Sequence, residues 1–397
     1  MTTYPMTRAK GCPFDPPPEL GELRQSEPLT RVEIWDGSRP WLVTRYADQR
    51  ALLADQRVSA DPDRTGYPMS GPARPRGDDT SIGFILMDDP EHARLRRMVT
   101  APFMIKRVEA MRPAVQKIVD DLIDSLLDGP KPVDLVEAFA LPVPSLVICT
   151  LLGVPYADHD FFQENSRNLI RTSIPVEERS ASFKRLYDYL DELIGSKIEK
   201  PGDDLLSTLI ERIASGELTR RDAAGIGVLL LIAGHETTAN MIALGTLALL
   251  EHPDQLDRMR ATDDPKQIAL AVEELLRYLN ITHNGRRRVA LEDIEIGGRT
   301  IKAGDGIILP NDIGNRDPDV FDDPDRLDLG RDARRHVAFG FGVHQCLGQP
   351  LARMELQVVY GTLYRRIPGL RLATTVEEIP FKHDGAVYGV YELPVTW

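Results

Sequence analysis

The residue best equipped for chemistry in this sequence is Cys346, in the run Phe339-Gly340-Phe341-Gly342-Val343-His344-Gln345-Cys346-Leu347-Gly348. Gly340, Gly342 and Gly348 around one cysteine describe a backbone forced into tight, side-chain-free turns beside something bulky. A helical pattern begins just after the cysteine, and the amides and positive dipole end of a helix start favour a thiolate. Such an anion either ligates a metal or attacks an electrophile. A lone cysteine is more often a small buried apolar group; the glycine frame weighs against that here.

A second constellation, Ala233-Gly234-His235-Glu236-Thr237-Thr238, lies inside the longest apolar helical pattern. The Thr237 hydroxyl can bond back to the carbonyl of Ala233, loosening the helix ladder. Gly234 removes a side chain at the same point, which would leave room for a diatomic ligand. An acid beside an alcohol, Glu236 and Thr237, can pass protons to a reacting group. His235 is expected to face a neighbouring helix. Glu274 and Arg277 share one face of another helix, as do His92 and Arg96, one turn apart. Arg94 and Arg97 on that last helix read as solvated.

Together these motifs resemble the cytochrome P-450 monooxygenases. Phe339, Gly342, Cys346 and Gly348 match the family's FxxGxxxCxG loop, with His344 at its usual place, and Ala233–Thr237 matches AGxE/DT. Glu274 and Arg277 match ExxR. The resemblance implies haem b with Cys346 as proximal thiolate, which favours O–O cleavage. It implies that Glu236 delivers protons while Thr237 steadies bound oxygen, and that Ala233, Gly234, Phe339, Gly340 and Gly348 line the cofactor. His92 and Arg96, with Arg288 and His344, would hold the haem propionates. Arg326 would join Glu274 and Arg277 in a structural triad. Two residues depart from the family's habit: Pro350, physically tolerable in a first helical turn, and Leu327, where Phe is commoner.

The elements that must position these groups follow from punctuation. Asp36-Gly37 and Gly297-Gly298 are hairpin signals. Helical patterns run from Pro90 to about Leu127, broken at Pro102, then over Leu135–Leu152, Phe161–Arg171, Ala181–Ile198 and Leu205–Ile213. The longest, Thr219 to Leu250, is capped by Thr219 and stopped by His252-Pro253, and should be buried all round. Arg286 to Pro310 reads as strands. The expected architecture is mainly α, the cytochrome P-450 fold: one helix-rich domain over residues 1–397 with small sheets packed at one side.

Composition limits the company this chain keeps. It has 397 residues, 48 Lys+Arg against 61 Asp+Glu, and a net charge of −13, which argues against a nucleic-acid binder. Three cysteines without CxxC spacing exclude a disulfide framework or zinc knuckle. The N-terminus shows no signal-peptide core, and Gly225–Gly234 reads as too short for a membrane span, so a cytoplasmic, membrane-free protein is expected. There is no dinucleotide fingerprint and no iron–sulfur cysteine set, so electrons must come from outside. The resemblance implies an iron–sulfur ferredoxin with an NAD(P)H-dependent reductase, docking on Arg94, Arg97, Arg334, Arg335 and Arg353. By the same resemblance Ile82, Phe84, Leu86, Leu169, Ile170, Leu230, Ile281, Asn284 and Val387 line a pocket for a bulky, mostly apolar natural product or drug-like molecule. His283, Asn284, Arg286 and Arg287 either meet a polar substrate group or point outward. Rival readings are a thiolate-haem peroxygenase, a haem redox or gas sensor without turnover, and a haem-free hydrolase using His344 and Cys346. The acid–alcohol pair favours oxygen activation over the first two, and residues two apart on one loop rarely serve as nucleophile and base, which weighs against the third.

Overall fold

The computed structural model describes residues 2–9, 11–71, 83–171, 173–282 and 284–397. In chain order the helices are α1 (Pro18–Ser26), α2 (Tyr46–Ala54), α3 (Glu91–Thr100), α4 (Ile105–Asp128), α5 (Pro142–Leu152), α6 (His159–Ile170), α7 (Val176–Glu199), α8 (Leu205–Ala214), α9 (Arg220–Glu251), α10 (Pro253–Ala261), α11 (Pro265–Tyr278), α12 (Asn311–Gly314) and α13 (Gln349–Arg366). The strands are β1 (Leu29–Arg31), β2 (Trp41–Val43), β3 (Val58–Ser59), β4 (Val133–Asp134), β5 (Arg286–Ala290), β6 (Ile294–Ile296), β7 (Arg299–Ile301), β8 (Gly306–Leu309), β9 (Arg371–Leu372) and β10 (Pro394–Thr396). The described residues fall into two compact units: those within 1–73, 85–90 and 266–346, and those within 74–84, 91–265 and 347–397.

The first unit is built on a five-stranded sheet in the order β1-β2-β8-β5-β3. Both hairpin signals do what their sequence suggests: Asp36-Gly37 turns the chain between β1 and β2, and Gly297-Gly298 joins β6 to β7. Strands β2 and β8 run parallel and every residue in them is buried, whereas β5 pairs antiparallel with β8 and sets Arg286 opposite Leu309 and Arg288 opposite Ile307. Leu29, Trp41, Val43, Leu52, Ile307 and Leu309 form the core on one side of this sheet.

The second unit is helical, around α9. Thr219 and Asp222 make a reciprocal capping box: the Thr219 hydroxyl accepts from the Asp222 amide at 3.0 Å, and the Asp222 carboxylate accepts from the Thr219 amide at 3.1 Å. At 32 residues and ~1.5 Å rise each, α9 is about 48 Å long. Its length and composition would let it cross a membrane, a correction to the shorter apolar run read from sequence; however, 78% of its most apolar window is buried, against α5, α7 and α13 among others. It is therefore the core helix of this unit. The pattern over Leu135–Leu152 resolves into a π-helical turn, Val136–Ala140, and then α5, because Pro142 supplies a natural first turn. Pro253, which ends α9, opens α10, a helix the sequence reading passed over.

Candidate active site

In the first unit, Gly340 and Gly342 both have φ +73°, a left-handed conformation that side chains resist. A Cβ on Gly342 would lie 2.1 Å from the Leu53 carbonyl oxygen, so the loop rests directly on the last turn of α2. The Cys346 amide donates back to the Phe339 carbonyl at 2.8 Å, closing the turn, and the cysteine is exposed. Gly348 differs: φ is −78° and nothing lies within 4 Å of its Cβ position, so neither strain nor space demands glycine there. The forced backbone is confined to the two glycines before the cysteine.

The loop is held from upstream. The Asn315 side-chain oxygen accepts from the Val337 amide at 2.7 Å, and Asn311 donates to the Val337 carbonyl at 2.9 Å. His336 Nδ1 accepts from the Ala338 amide at 3.1 Å, which leaves Nε2 to carry the proton facing Glu273 Oε2, also at 3.1 Å. These three side chains carry no motif signature.

Glu274 and Arg277 are both fully buried and pair in two places, Arg277 Nε and Nη2 donating to the carboxylate at 2.7 and 2.8 Å. Arg277 also donates to the carbonyls of Asn315 at 2.9 Å and Pro324 at 2.7 Å. The third member is not Arg326. Its side chain is exposed, and among the described residues it is the Arg326 backbone carbonyl that Arg277 reaches, whereas Arg331 Nε donates to Glu274 Oε1 at 3.1 Å. Arg331 comes from irregular chain, where spacing gives no geometric clue. Leu327 is buried at 2% exposure, so the departure there keeps an apolar anchor.

Strand β5 supplies the test of whether haem fits. Arg286 and Arg288 are two apart and so lie on one face of the strand. Burial lowers the Arg288 pKa, and it lowers that of Arg286 to about 10, with the Arg288 charge adding to the effect and the Cys346 charge opposing it. Among the described residues neither guanidinium makes an ion pair with a carboxylate; Arg288 donates to the Arg287 carbonyl at 2.7 Å, Arg286 to the Ala338 carbonyl at 3.3 Å, and Arg286 Nε has no acceptor. Two neighbouring cations beside a cysteine loop, Arg288 buried and Arg286 half-buried, suit a ligand bearing carboxylates, and haem has two propionates. Arg287 points elsewhere, donating to the carbonyls of Pro68 and Met69 at 2.8 and 3.0 Å. His283 lies outside the described residues, and so does Ile82.

In the second unit, α9 carries the acid and the alcohol. Thr237 Oγ1 donates to the Ala233 carbonyl at 2.6 Å, the back-bond expected from sequence. Glu236 is 2% exposed. Burial alone would raise its pKa, but the adjacent His235 together with the charges of Lys382 and Arg167 outweighs that and holds it below the ordinary value. His235 is fully buried, its ring edge-on to Phe162 of α6 with centroids 5.7 Å apart. Its Nδ1 donates to the Leu231 carbonyl at 2.6 Å, which turns Nε2 toward Glu236 Oε1, 3.6 Å away. Gly234 corrects another expectation. A Cβ there would meet Ile148 of α5 at 2.8 Å, so the missing side chain serves helix packing and not ligand space.

Two more groups are brought together in this unit. His92, on α3, is buried and its ring lies 6.0 Å from that of Phe84, so a propionate candidate and a pocket candidate are neighbours; Arg96 follows one turn on, half-buried. The C-terminal segment forms a small hairpin, bridged Phe381 to Val390, that docks on the end of α6: Arg171 bridges to Gly385, and the Ala386 amide donates to the Ile170 carbonyl at 2.8 Å. Pocket candidates Leu169, Ile170 and Val387 thereby share one corner with Lys382, a buried cation the sequence reading did not single out. Leu230 is buried on α9; Leu86, Ile281 and Asn284 belong to the first unit and are half-buried.

A glycine-framed cysteine with two guanidiniums beside it suits a haem-thiolate protein. The comparisons agree. The family model described as "Cytochrome P450" matches residues 35–264 and 268–367. Cytochrome P450 GfsF of Streptomyces halstedii is 59% identical over 397 residues, spanning 99% of this chain and 96% of the relative. The crystal structure of GfsF aligns over 100% of both chains at 57% identity and a TM-score of 0.92. The mycinamicin VIII C21 methyl hydroxylase MycCI from Micromonospora griseorubida, solved with mycinamicin VIII bound, aligns over 100% of both chains at 44% identity and a TM-score of 0.93. CYP105P1 in complex with filipin I gives 41% identity and a TM-score of 0.92, covering 100% of this chain and 98% of that one. The chain belongs to the cytochrome P-450 family: it is a monooxygenase with haem as cofactor and a cysteine thiolate as axial ligand, in the mainly helical fold with small sheets read from its sequence.

Proposed function

We propose that Cys346 supplies the axial thiolate and that the chain, acting as one domain, hydroxylates a bulky, mostly apolar small molecule of the natural-product class. The observation that carries this reading is the Thr237 hydroxyl bonded to the Ala233 carbonyl beside an ionised, buried Glu236. Haem, when bound, supplies electron transfer and oxygen activation. The chain's own part is to hold the cofactor and to deliver protons. Arg288 and His344 would hold a haem propionate, and His92 and Arg96 of α3 are the further propionate candidates that the family resemblance implies. Glu236, kept as a carboxylate, would collect a proton and pass it inward, while Thr237, whose hydroxyl hydrogen is given to the Ala233 carbonyl, would assist that delivery by steadying the acceptor through its hydroxyl oxygen. A match to one family model over residues 35–264 and 268–367, covering segments of both units, supports the one-domain reading. The substrate class draws support from the relatives solved with mycinamicin VIII and filipin I.

Electrons come from a redox partner, here an iron–sulfur ferredoxin in the cytoplasm. Among the arginines first considered for docking, Arg94 is tied to Glu91 at 2.8 and 2.5 Å and to the Glu217 carbonyl at 2.6 Å, and Arg334 is tied to Asp332 at 2.7 and 2.6 Å. Arg97 is exposed on α3 and is the better lead. The test is turnover with ferredoxin, reductase and NADPH: Thr237→Ala should lose at least about 10-fold in product formed per NADPH oxidised while keeping its haem spectrum. Equal yield from the variant would remove Thr237 from proton delivery.

A further inference from the structure

The Arg286 side chain lies flat against the cysteine loop. A Cβ at Gly340 would sit 3.0 Å from its Cζ and Nε and 3.1 Å from Nη2, so glycine at that position makes room for the guanidinium. Its Nη2 donates into the same loop, to the Ala338 carbonyl at 3.3 Å, and the Cys346 charge acts on it. The residue is half-buried with its Nε closed off from solvent, burial lowers its pKa, and among the described residues it makes no ion pair with a carboxylate. Arg288, two residues on and on the same strand face, is buried, with the Asp88 charge opposing part of the cost.

We infer that Arg286 is a second cofactor-holding cation: with Arg288 it makes a two-guanidinium cradle for haem carboxylate, and its charge beside the thiolate favours the reduced iron. It is therefore not a substrate contact and not a surface residue, the two roles its position in Gly285-Arg286-Arg287-Arg288 first suggested. The direction follows from charge alone. Reduction adds an electron to the site, and a nearby buried cation stabilises the state with the extra negative charge. Removing Arg286 must then lower the reduction potential and loosen the cofactor.

The inference rests on the haem-thiolate reading, and the experiment separates the two. Purified wild-type, Arg286→Gln and Arg286→Lys proteins are compared by transfer of haem to excess apomyoglobin, by anaerobic redox titration and by the substrate-free spectrum of the reduced carbon monoxide complex. Arg286→Gln should lose haem several-fold faster and show a more negative midpoint potential, with the thiolate-type spectrum retained; Arg286→Lys should recover part of both losses. Haem transfer and potential equal to wild type in Arg286→Gln would overturn the assignment. A wild-type protein without the thiolate-type spectrum would instead overturn the reading beneath it.

Discussion

The cysteine loop of the first unit and the acid–alcohol turn of α9 in the second are built on opposite principles. In the loop, two glycines with positive φ set the path, and side chains from α12 and the irregular chain after it, Asn311, Asn315 and His336, hold it in place. In α9 the backbone is regular throughout, and one hydroxyl, bonding to the carbonyl four residues back, supplies the departure. The loop's chemistry comes from where the backbone is forced to go; the helix's comes from which side chains face one another. A glycine consequently means different things in the two places. Gly342 is needed because the Leu53 carbonyl occupies the space of a side chain on a turn with positive φ, whereas Gly234 is needed because Ile148 of a neighbouring helix does.

The sharpest way to break this contrast is at the sulfur. Cys346→Ser should abolish the thiolate-type band of the reduced, carbon monoxide-treated protein; an unaltered band would end the haem-thiolate reading. Next in size is Arg277→Leu, which leaves Glu274 charged and fully buried. Loss of about 3–5 kcal/mol is expected, read as a fall in denaturation midpoint and in haem retention. Gly234→Ala should cost about 1–3 kcal/mol by crowding Ile148, and Ile148→Val in the same chain should recover part of it. A variant with unchanged stability but weakened carbon monoxide binding would restore the ligand-space role to Gly234.

Two smaller effects refine the picture. Arg326→Ala should change stability by no more than about 0.5 kcal/mol, because only its carbonyl is used, while Arg331→Ala removes a charged donor from Glu274 and should cost about 1–3 kcal/mol; equal midpoints would contradict the reassigned triad. Glu236 has a depressed pKa in the folded chain, so its contribution to stability is complete above the ordinary carboxylate range and is lost as pH falls through the folded value. Glu236→Gln should therefore show a flatter acid limb in a plot of melting temperature against pH, and a curve parallel to wild type would mean the carboxylate is not favoured by its surroundings.

Motifs carried in contiguous residues could be read from sequence: the Phe339–Gly348 loop, the Thr237 back-bond, the Glu274–Arg277 pair and the capped start of α9 all depend on neighbours within a few positions. What escaped were partners brought in by tertiary folding. Arg331 reaches Glu274 across 57 residues, and Ile148 approaches Gly234 from another helix. Arg286 could have been recovered from strand parity, since it shares a face with Arg288, but only once β5 is known to lie beside the cysteine loop. Lys382 gave no local cue, because its surroundings are set by how the last hairpin docks on α6.

That hairpin has an implication for anyone redesigning the enzyme. Its register presents Val387 on one arm and, on the other, Lys382, whose amide donates to the Gly389 carbonyl. Inserting or deleting one residue between them to reshape selectivity would invert which side chains each arm offers inward, exchanging the cation near Glu236 for a neighbour of different charge. Loop-length libraries at this corner would thus alter acid–base behaviour along with product choice, whereas point replacements at Val387 would leave the alternation intact.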